Sequence, residues 1–269
     1  KKAKEYFEKV IKLDSTYVRA ISQKLYLMRK TCDWTEDNFL EQNLKLIKKS
    51  DIEITPWQLL SLDDDPQAEF DRAKKYGSQF SYKDFKIFNN NSKIKIAYFT
   101  PDFYDHAGMI NMEGIFKYHN KEKFQIYAFD YGHSNYDNTH ERIKKYFDHF
   151  IYVNKLNDDE IAEIVKEMQI DIVIHRNGYS QNSRNSLFAK KIAPIQISFL
   201  GFPGTMGVNF VDYIIADKTV IPKNNQKFYS EKIVYMPNSY HPIESIEKIS
   251  EKKFSRKELN LPKEKFVFC

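Results

Sequence analysis

The feature that most constrains this chain is a change of period at Ile94. From there, short apolar runs of strand length recur at Ile94–Phe99, Phe124–Phe129, 149–153, Ile170–Ile174, 194–200 and 213–216. Between them lie helix-like segments near 108–118, 138–147, 157–168 and 184–191. The third of these opens on Asn157-Asp158-Asp159-Glu160, a capping box with Asn157 as cap and Glu160 reaching back, and its Ile161, Ile164, Val165 and Met168 share one face. Strands that alternate with helices are joined by crossovers, so the pattern predicts a mainly parallel sheet covered on both faces. Residues 92–242 therefore read as one α/β, Rossmann-like domain.

The region before it is helical. Ala3, Phe7, Val10 and Ile11 fall on one face, Leu13-Asp14-Ser15 breaks the run, and two further helices follow with Val18, Ile21, Leu25 and Met28, then Phe39, Leu40, Leu44 and Ile47, on their apolar sides. Short antiparallel helices of this length over residues 1–50 suit αα-hairpins. Residues 51–91 read as a connector. Asp63-Asp64-Asp65-Pro66 is a break within it, a helix is possible over 67–76, and the polar loop Asn89-Asn90-Asn91-Ser92 closes it. Residues 243–254 read as a charged linker, Ser255-Arg256-Lys257-Glu258 as another capping box, and Phe266-Val267-Phe268-Cys269 as the first strand of a second, truncated domain spanning 243–269.

Charge and cysteine usage remove several function classes. The 42 basic and 37 acidic residues leave a net charge of only +5, with lysines scattered as pairs, so no nucleic-acid face is expected. Cys32 and Cys269 stand far apart with no Cys/His ligand spacing, so neither a disulfide framework nor a structural zinc is expected, and a reducing, cytoplasmic setting fits. No apolar stretch reaches the ~18 residues of a membrane span, and no signal peptide is visible.

In an open parallel sheet, ligands sit beyond the carboxyl ends of the strands. Three segments arrive there. Thr100-Pro101-Asp102-Phe103-Tyr104-Asp105-His106 follows the first strand and brings a carboxylate and an imidazole, both able to handle a proton. His175-Arg176-Asn177-Gly178-Tyr179-Ser180 follows the fourth. There Gly178 permits close backbone approach, Tyr179 offers a ring with a hydroxyl, and Arg184 nearby is placed to hold an anion; His175 itself reads either as a ligand-facing or as a plain strand-end histidine. Leu200-Gly201-Phe202-Pro203-Gly204-Thr205-Met206-Gly207 forms a tight loop whose amides could meet hydroxyls or phosphate oxygens. It is neither a Walker A loop nor GxGxxG, so a nicotinamide site is not supported.

Taken together, Asn177-Gly178-Tyr179, Arg184-Asn185, Leu187-Phe188-Ala189, Ala193-Pro194-Ile195-Gln196, Leu200-Gly201-x-Pro203-Gly204-Thr205-x-Gly207, Asp212-Tyr213-Ile214-Ile215-x-Asp217 and Tyr229-Ser230-Glu231-Lys232 run in unbroken order. This series resembles the O-GlcNAc transferase/SPINDLY family. Cys32-Asp33-Trp34 is similar to that family's junction between tetratricopeptide repeats and catalytic region. The resemblance implies the N-terminal Rossmann-like half of a two-domain GT-B glycosyltransferase, preceded by tetratricopeptide-type hairpins. It implies inverting transfer of a sugar from a nucleotide sugar, UDP-GlcNAc being favoured by motif likeness, to Ser/Thr hydroxyls of proteins. No cofactor and no catalytic metal are implied, and the nucleotide would be held mostly by the second domain, so this fragment alone is expected to be inactive.

His106 and Asp102 match the family positions considered for the proton path; both stay open for that role, with His106 named first, as an imidazole, and Asp102 second. Tyr179, Leu200 and Gly201 match positions near the sugar; Arg184, Pro203, Gly204 and Thr205 complete the expected substrate-binding set. Two departures bear on the choice of sugar. The connector reads Thr55-Pro56-Trp57-Gln58 where animal members carry a histidine, and the histidine that follows His106 in them is replaced around Ile110-Asn111. The alternatives are a protein-binding module without catalysis, or an O-fucosyl or other nucleotide-sugar transferase of the same fold.

Overall fold

The computed structural model describes residues 2–50, 54–82, 91–132, 136–242 and 250–268. The helical layer forms as its periodicity predicts, with α1 Lys2–Leu13, α2 Val18–Lys30 and α3 Asp37–Lys49. Asp14 ends the first helix locally: its carboxylate accepts the Thr16 N–H at 2.9 Å and the Thr16 hydroxyl at 2.7 Å, a side-chain turn that competes with helix continuation. Val18, Ile21, Leu25 and Ile47 close this layer's core with Ile54, Leu59 and Leu62.

The stretch expected as a connector carries two helices, α4 Pro56–Leu59 and α5 Pro66–Gly77, each with proline at its start, where the missing N–H costs nothing. The Asp63–Pro66 break is a helix cap. Asp65 accepts the N–H groups of Gln67 and Ala68 at 3.0 and 3.2 Å. α5 belongs with the sheet domain, since Ala73 lies in its main core and Tyr76 packs edge-on against Tyr179 at 5.0 Å. Residues 83–90, with Asn89 and Asn90 of the expected loop, lie outside the described residues.

The sheet is seven-stranded and fully parallel, in the order β3-β2-β1-β4-β5-β6-β7. Its strands are β1 Ile94–Thr100, β2 Phe124–Asp130, β3 His149–Tyr152, β4 Ile172–His175, β5 Ile195–Ser198, β6 Tyr213–Ala216 and β7 Lys232–Tyr235. Helices α6 Ala107–Tyr118, α7 Asn138–Lys144, α8 Asp158–Glu167 and α9 Asn185–Ala189 make the crossovers, and a 3-10 turn, Lys223–Phe228, precedes β7. Alternation along β1 sends Ala97 and Phe99 into one core and Ile96 and Tyr98 into the other. The Asn157/Glu160 capping box is present with both reciprocal bonds.

Three endings differ from expectation. β7 was not marked by its sequence because its side chains alternate between exposed and half-buried on an edge, giving no apolar run. The Ser255/Glu258 reciprocal bonds form, at 2.7 and 3.2 Å, but the residues after them make a turn closed by Leu261 N–H to Arg256 O rather than a helix. Phe266 and Phe268 join no strand ladder among the described residues and are 80% and 90% exposed. The linker residues 243–249 and Cys269 lie outside the described residues.

Candidate active site at the carboxyl edge of the sheet

Chain order reverses between β1 and β4, which makes the space beyond their carboxyl ends the switch point of this sheet. The loop after β1, the turn after β4 and the glycine loop after β5 meet there. At the centre is a buried ion pair. Arg176 donates through Nη1 to Asp102 Oδ2, and the same oxygen accepts from Asn177 Nδ2 at 3.0 Å and Thr100 Oγ1 at 3.4 Å. The Asp102 N–H returns to Thr100 Oγ1 at 3.2 Å. The guanidinium lies across the first turn of α6, and a Cβ at Gly108 would sit 1.6 Å from Arg176 Nη2, so glycine there is a requirement of the pair. Arg176 Nε and Asn177 Oδ1 are buried without a hydrogen-bond partner among the described residues.

His106 is the N-cap of α6. Its Nδ1 accepts the Gly108 N–H at 3.0 Å, and its ring meets Tyr104 at 5.6 Å. His106, Asp102, Arg176, Asn177 and Gly201 line a hollow of about 310 Å³ whose far wall is helical, from Tyr26 and Lys30 on α2 and Trp57 on α4. Trp57 Nε1 donates to the Tyr26 hydroxyl at 3.1 Å, which fixes that wall. A second hollow of about 500 Å³ lies toward β2 and β3, lined by Tyr131, Asn154, Ser183 and Arg184, with Asp102 and Tyr104 shared between the two.

The remaining expected site residues divide by what already occupies them. Gly201 faces the first hollow, but its N–H is taken by Arg176 O and Phe199 O, both at 3.0 Å, and a Cβ there would lie 2.3 Å from Arg176 O. Tyr179 is a core residue: its hydroxyl donates to Met206 O at 2.6 Å, and burial raises its pKa. Arg184 lines the second hollow yet is committed to Asp158, Nε to Oδ1 at 2.8 Å, and to Leu156 O at 3.0 Å, so its expected anion is a carboxylate of this chain. Thr205 is buried and donates to Glu231 Oε2 at 2.7 Å, while the Met206 N–H donates to Glu231 Oε1 at 2.6 Å. Leu200, Pro203 and Gly204 line neither hollow; Leu200 holds φ +75°, Pro203 O accepts from the Tyr229 hydroxyl at 3.3 Å, and Gly204 makes room for the Phe202 ring.

The glycine loop is thus braced from within. Glu231, buried and with its pKa raised by desolvation, is the brace. Sequence reasoning passed over it and over Arg176. Arg176 and Asp102 are 74 residues apart, and the one available hint was a charged residue directly after an apolar strand.

His175 settles as a strand-end histidine. It is fully buried, stacked on Phe188 at 3.8 Å, with Nε2 against Ser183 Oγ at 3.1 Å, and burial pushes its pKa down from 6.5 to about 3. The stability that neutral His175 contributes is complete above pH 6.5 and is lost as pH falls toward about 3, because the unfolded imidazole binds a proton that the folded one refuses. In urea titrations, His175→Gln should lose less stability than the parent between about pH 6.5 and pH 4; equal losses would contradict this burial. No three His, Cys, Asp or Glu side chains converge as a metal site among the described residues.

The profile described as glycosyl transferase family 41 matches residues 73–267. The chain belongs to this family. Family-41 likeness extends to an Arabidopsis thaliana protein named "Probable UDP-N-acetylglucosamine--peptide N-acetylglucosaminyltransferase SEC", 29% identical over 91% of this chain and 28% of that protein. A UDP-N-acetylglucosamine–peptide N-acetylglucosaminyltransferase of Caenorhabditis elegans is 30% identical over 56% of this chain and 13% of its own length, and a Petunia hybrida SPINDLY protein is 20% identical over 59% and 18%. The chain therefore spans under a third of these curated family-41 relatives. Among solved structures, a mutant of the Thermobaculum terrenum O-GlcNAc transferase shares the fold at TM-score 0.72 and 18% identity, over 89% of this chain and 48% of that one. The O-GlcNAc transferase/SPINDLY resemblance of the motifs is borne out, and so is the Rossmann-like class of the domain.

Proposed function

We propose that this family-41 chain is the N-terminal, acceptor-facing half of a GT-B enzyme that moves GlcNAc from UDP-GlcNAc to Ser/Thr hydroxyls of proteins. The observation that carries this reading is the hollow at the β1/β4 switch point, where Asp102, His106 and Gly201 come together beneath a wall of helical residues. In the proposed reaction the acceptor oxygen bonds to the anomeric carbon, and the bond from that carbon to the diphosphate breaks with its electron pair on the leaving group. The hydroxyl proton goes to a base. Alignment of the two oxygens on opposite sides of that carbon is the main contribution asked of the cleft.

A second Rossmann domain is proposed to hold the nucleotide, which leaves the present chain inactive alone and its cleft wet. Helices α1–α3 are proposed as the end of a tetratricopeptide array, and the cytoplasm as the place of action. No described helix is long and apolar enough to cross a membrane. The relatives named for peptide acceptors and UDP-N-acetylglucosamine support both substrate classes.

The test offers UDP-GlcNAc, UDP-glucose and GDP-fucose in parallel, with a protein extract as acceptor, to the chain alone and to the chain joined to a C-terminal Rossmann domain. Transfer from UDP-GlcNAc by the joined protein only is the expected result. Transfer from GDP-fucose instead would replace the sugar, and no transfer by a folded joined protein would leave a protein-binding module.

A further inference from the structure

We infer that His106 enters the cleft as a hydrogen-bond donor at Nε2 and is not the group that takes the acceptor's proton. This rests on the transferase reading above for its substrate and on geometry alone for its tautomer.

The group facing His106 Nδ1 is a backbone amide, Gly108 N–H, at 3.0 Å. A backbone N–H can only donate, so Nδ1 presents its lone pair and the neutral ring carries its proton on Nε2. A side-chain amide in that position would leave the assignment open, because it could be turned round; the backbone cannot. Nε2 makes no hydrogen bond to any described residue, and the ring lines the same hollow as Arg176 and Gly201. The imidazole is oriented by its capping bond to offer N–H to whatever occupies that hollow.

Acting as base would cost the cap. Nε2 could accept a proton only after its own had moved to Nδ1, and Nδ1–H would then confront Gly108 N–H, donor against donor, at the start of the 12-residue helix α6. Nδ1 itself is occupied by the helix turn. Asp102 is different: Arg176, Asn177 and Thr100 all donate to its Oδ2, which leaves Oδ1 to face the hollow that Asp102 lines. The proton of the acceptor hydroxyl therefore leaves to a group other than His106, with Asp102 Oδ1 the nearest carboxylate oxygen in the hollow, while His106 Nε2–H stabilises an oxygen of the bound sugar nucleotide.

Two measurements decide this. Long-range 1H–15N spectra of the chain labelled in histidine, assigned by loss of signal in His106→Asn, should show the Nε2–H tautomer at neutral pH; an Nδ1–H tautomer overturns the proposal. In the joined enzyme, His106→Asn keeps a capping oxygen for Gly108 but has no Nε2. If His106 is a donor, transfer should fall on the order of 10²-fold by a constant factor across the pH range, giving parallel profiles. If it is the base, the variant loses the acid limb and the gap closes as pH falls, which also overturns the proposal. The spectrum needs no sugar nucleotide, so a wrong tautomer and a wrong enzyme class give different failures.

Discussion

Asp102→Ala should lower the unfolding free energy of this chain by about 3–5 kcal/mol, among the largest effects of any single polar substitution in it. The cost does not come from the attraction lost. It comes from Arg176, a guanidinium only 6% exposed, left inside the domain with Nε already unpartnered and Nη1 reduced to a long contact with the Thr100 hydroxyl. Burial of an uncompensated charge is what makes the removal of one partner so much worse than the removal of both. The double variant Asp102→Ala/Arg176→Met should accordingly recover most of the loss, because a flexible apolar side chain can lie over Gly108 where the guanidinium lay. Urea denaturation of parent, single and double variants checks this. A single variant within about 1 kcal/mol of the parent, or a double variant worse than the single one, would show that the pair is open to water.

Phe202→Ala should cost a comparable amount, about 3–5 kcal/mol, for an entirely apolar reason. Phe202 is 1% exposed and fills the space that two glycines leave open: a Cβ at Gly178 would lie 2.5 Å from Phe202 Cβ, and one at Gly204 would lie 2.9 Å from its ring. It also joins the layers, with ring centroids 5.5 Å from Tyr179 on the sheet side and 6.2 Å from Trp57 on the helical side. The cavity left by alanine has rigid backbone on two sides and cannot collapse easily. Trp57 should gain water and its emission should shift to the red as stability falls. A loss of stability with unchanged Trp57 emission would mean that the helical layer does not rest on this ring.

Much of the architecture could be read in the chain because each signal was local. β1, β2 and β6 are apolar runs bounded by polar residues, and α8 announces itself by a cap and four apolar positions on one face. β7 escaped because an edge strand buries too little to need an apolar run, and α5 was taken for part of a connector because its core contacts are made with residues more than a hundred positions later, around Val208. The site was legible in its address and not in its assignments. The loops after β1, β4 and β5 do meet at the switch point. Yet Tyr179, Arg184 and Thr205, polar residues in a glycine-rich setting, spend their donors on Met206 O, Asp158 and Glu231. Spacing along a chain shows which polar groups arrive at a place, and only the fold shows which of them arrive already paired. Arg176 is the converse case, an unremarked side chain that the topology turns into the centre of the cleft.

The all-parallel sheet carries a consequence for how the molecule is made. No strand in it can pair with its sequence neighbour through a tight turn, and β1 waits longest. The Asp171 carboxylate that receives the Lys95 N–H, and the β4 ladder beyond it, emerge from the ribosome 76 residues after β1. At the ordinary pace of synthesis, about 5–20 residues per second, Ile96, Tyr98 and Phe99 remain one-sided for several seconds. Pairings of such long range are also slow to find once the chain is complete. A strand with five buried residues in the finished domain is therefore its most vulnerable segment during birth, and expression of this chain should depend on temperature and chaperone supply more than its finished stability would suggest.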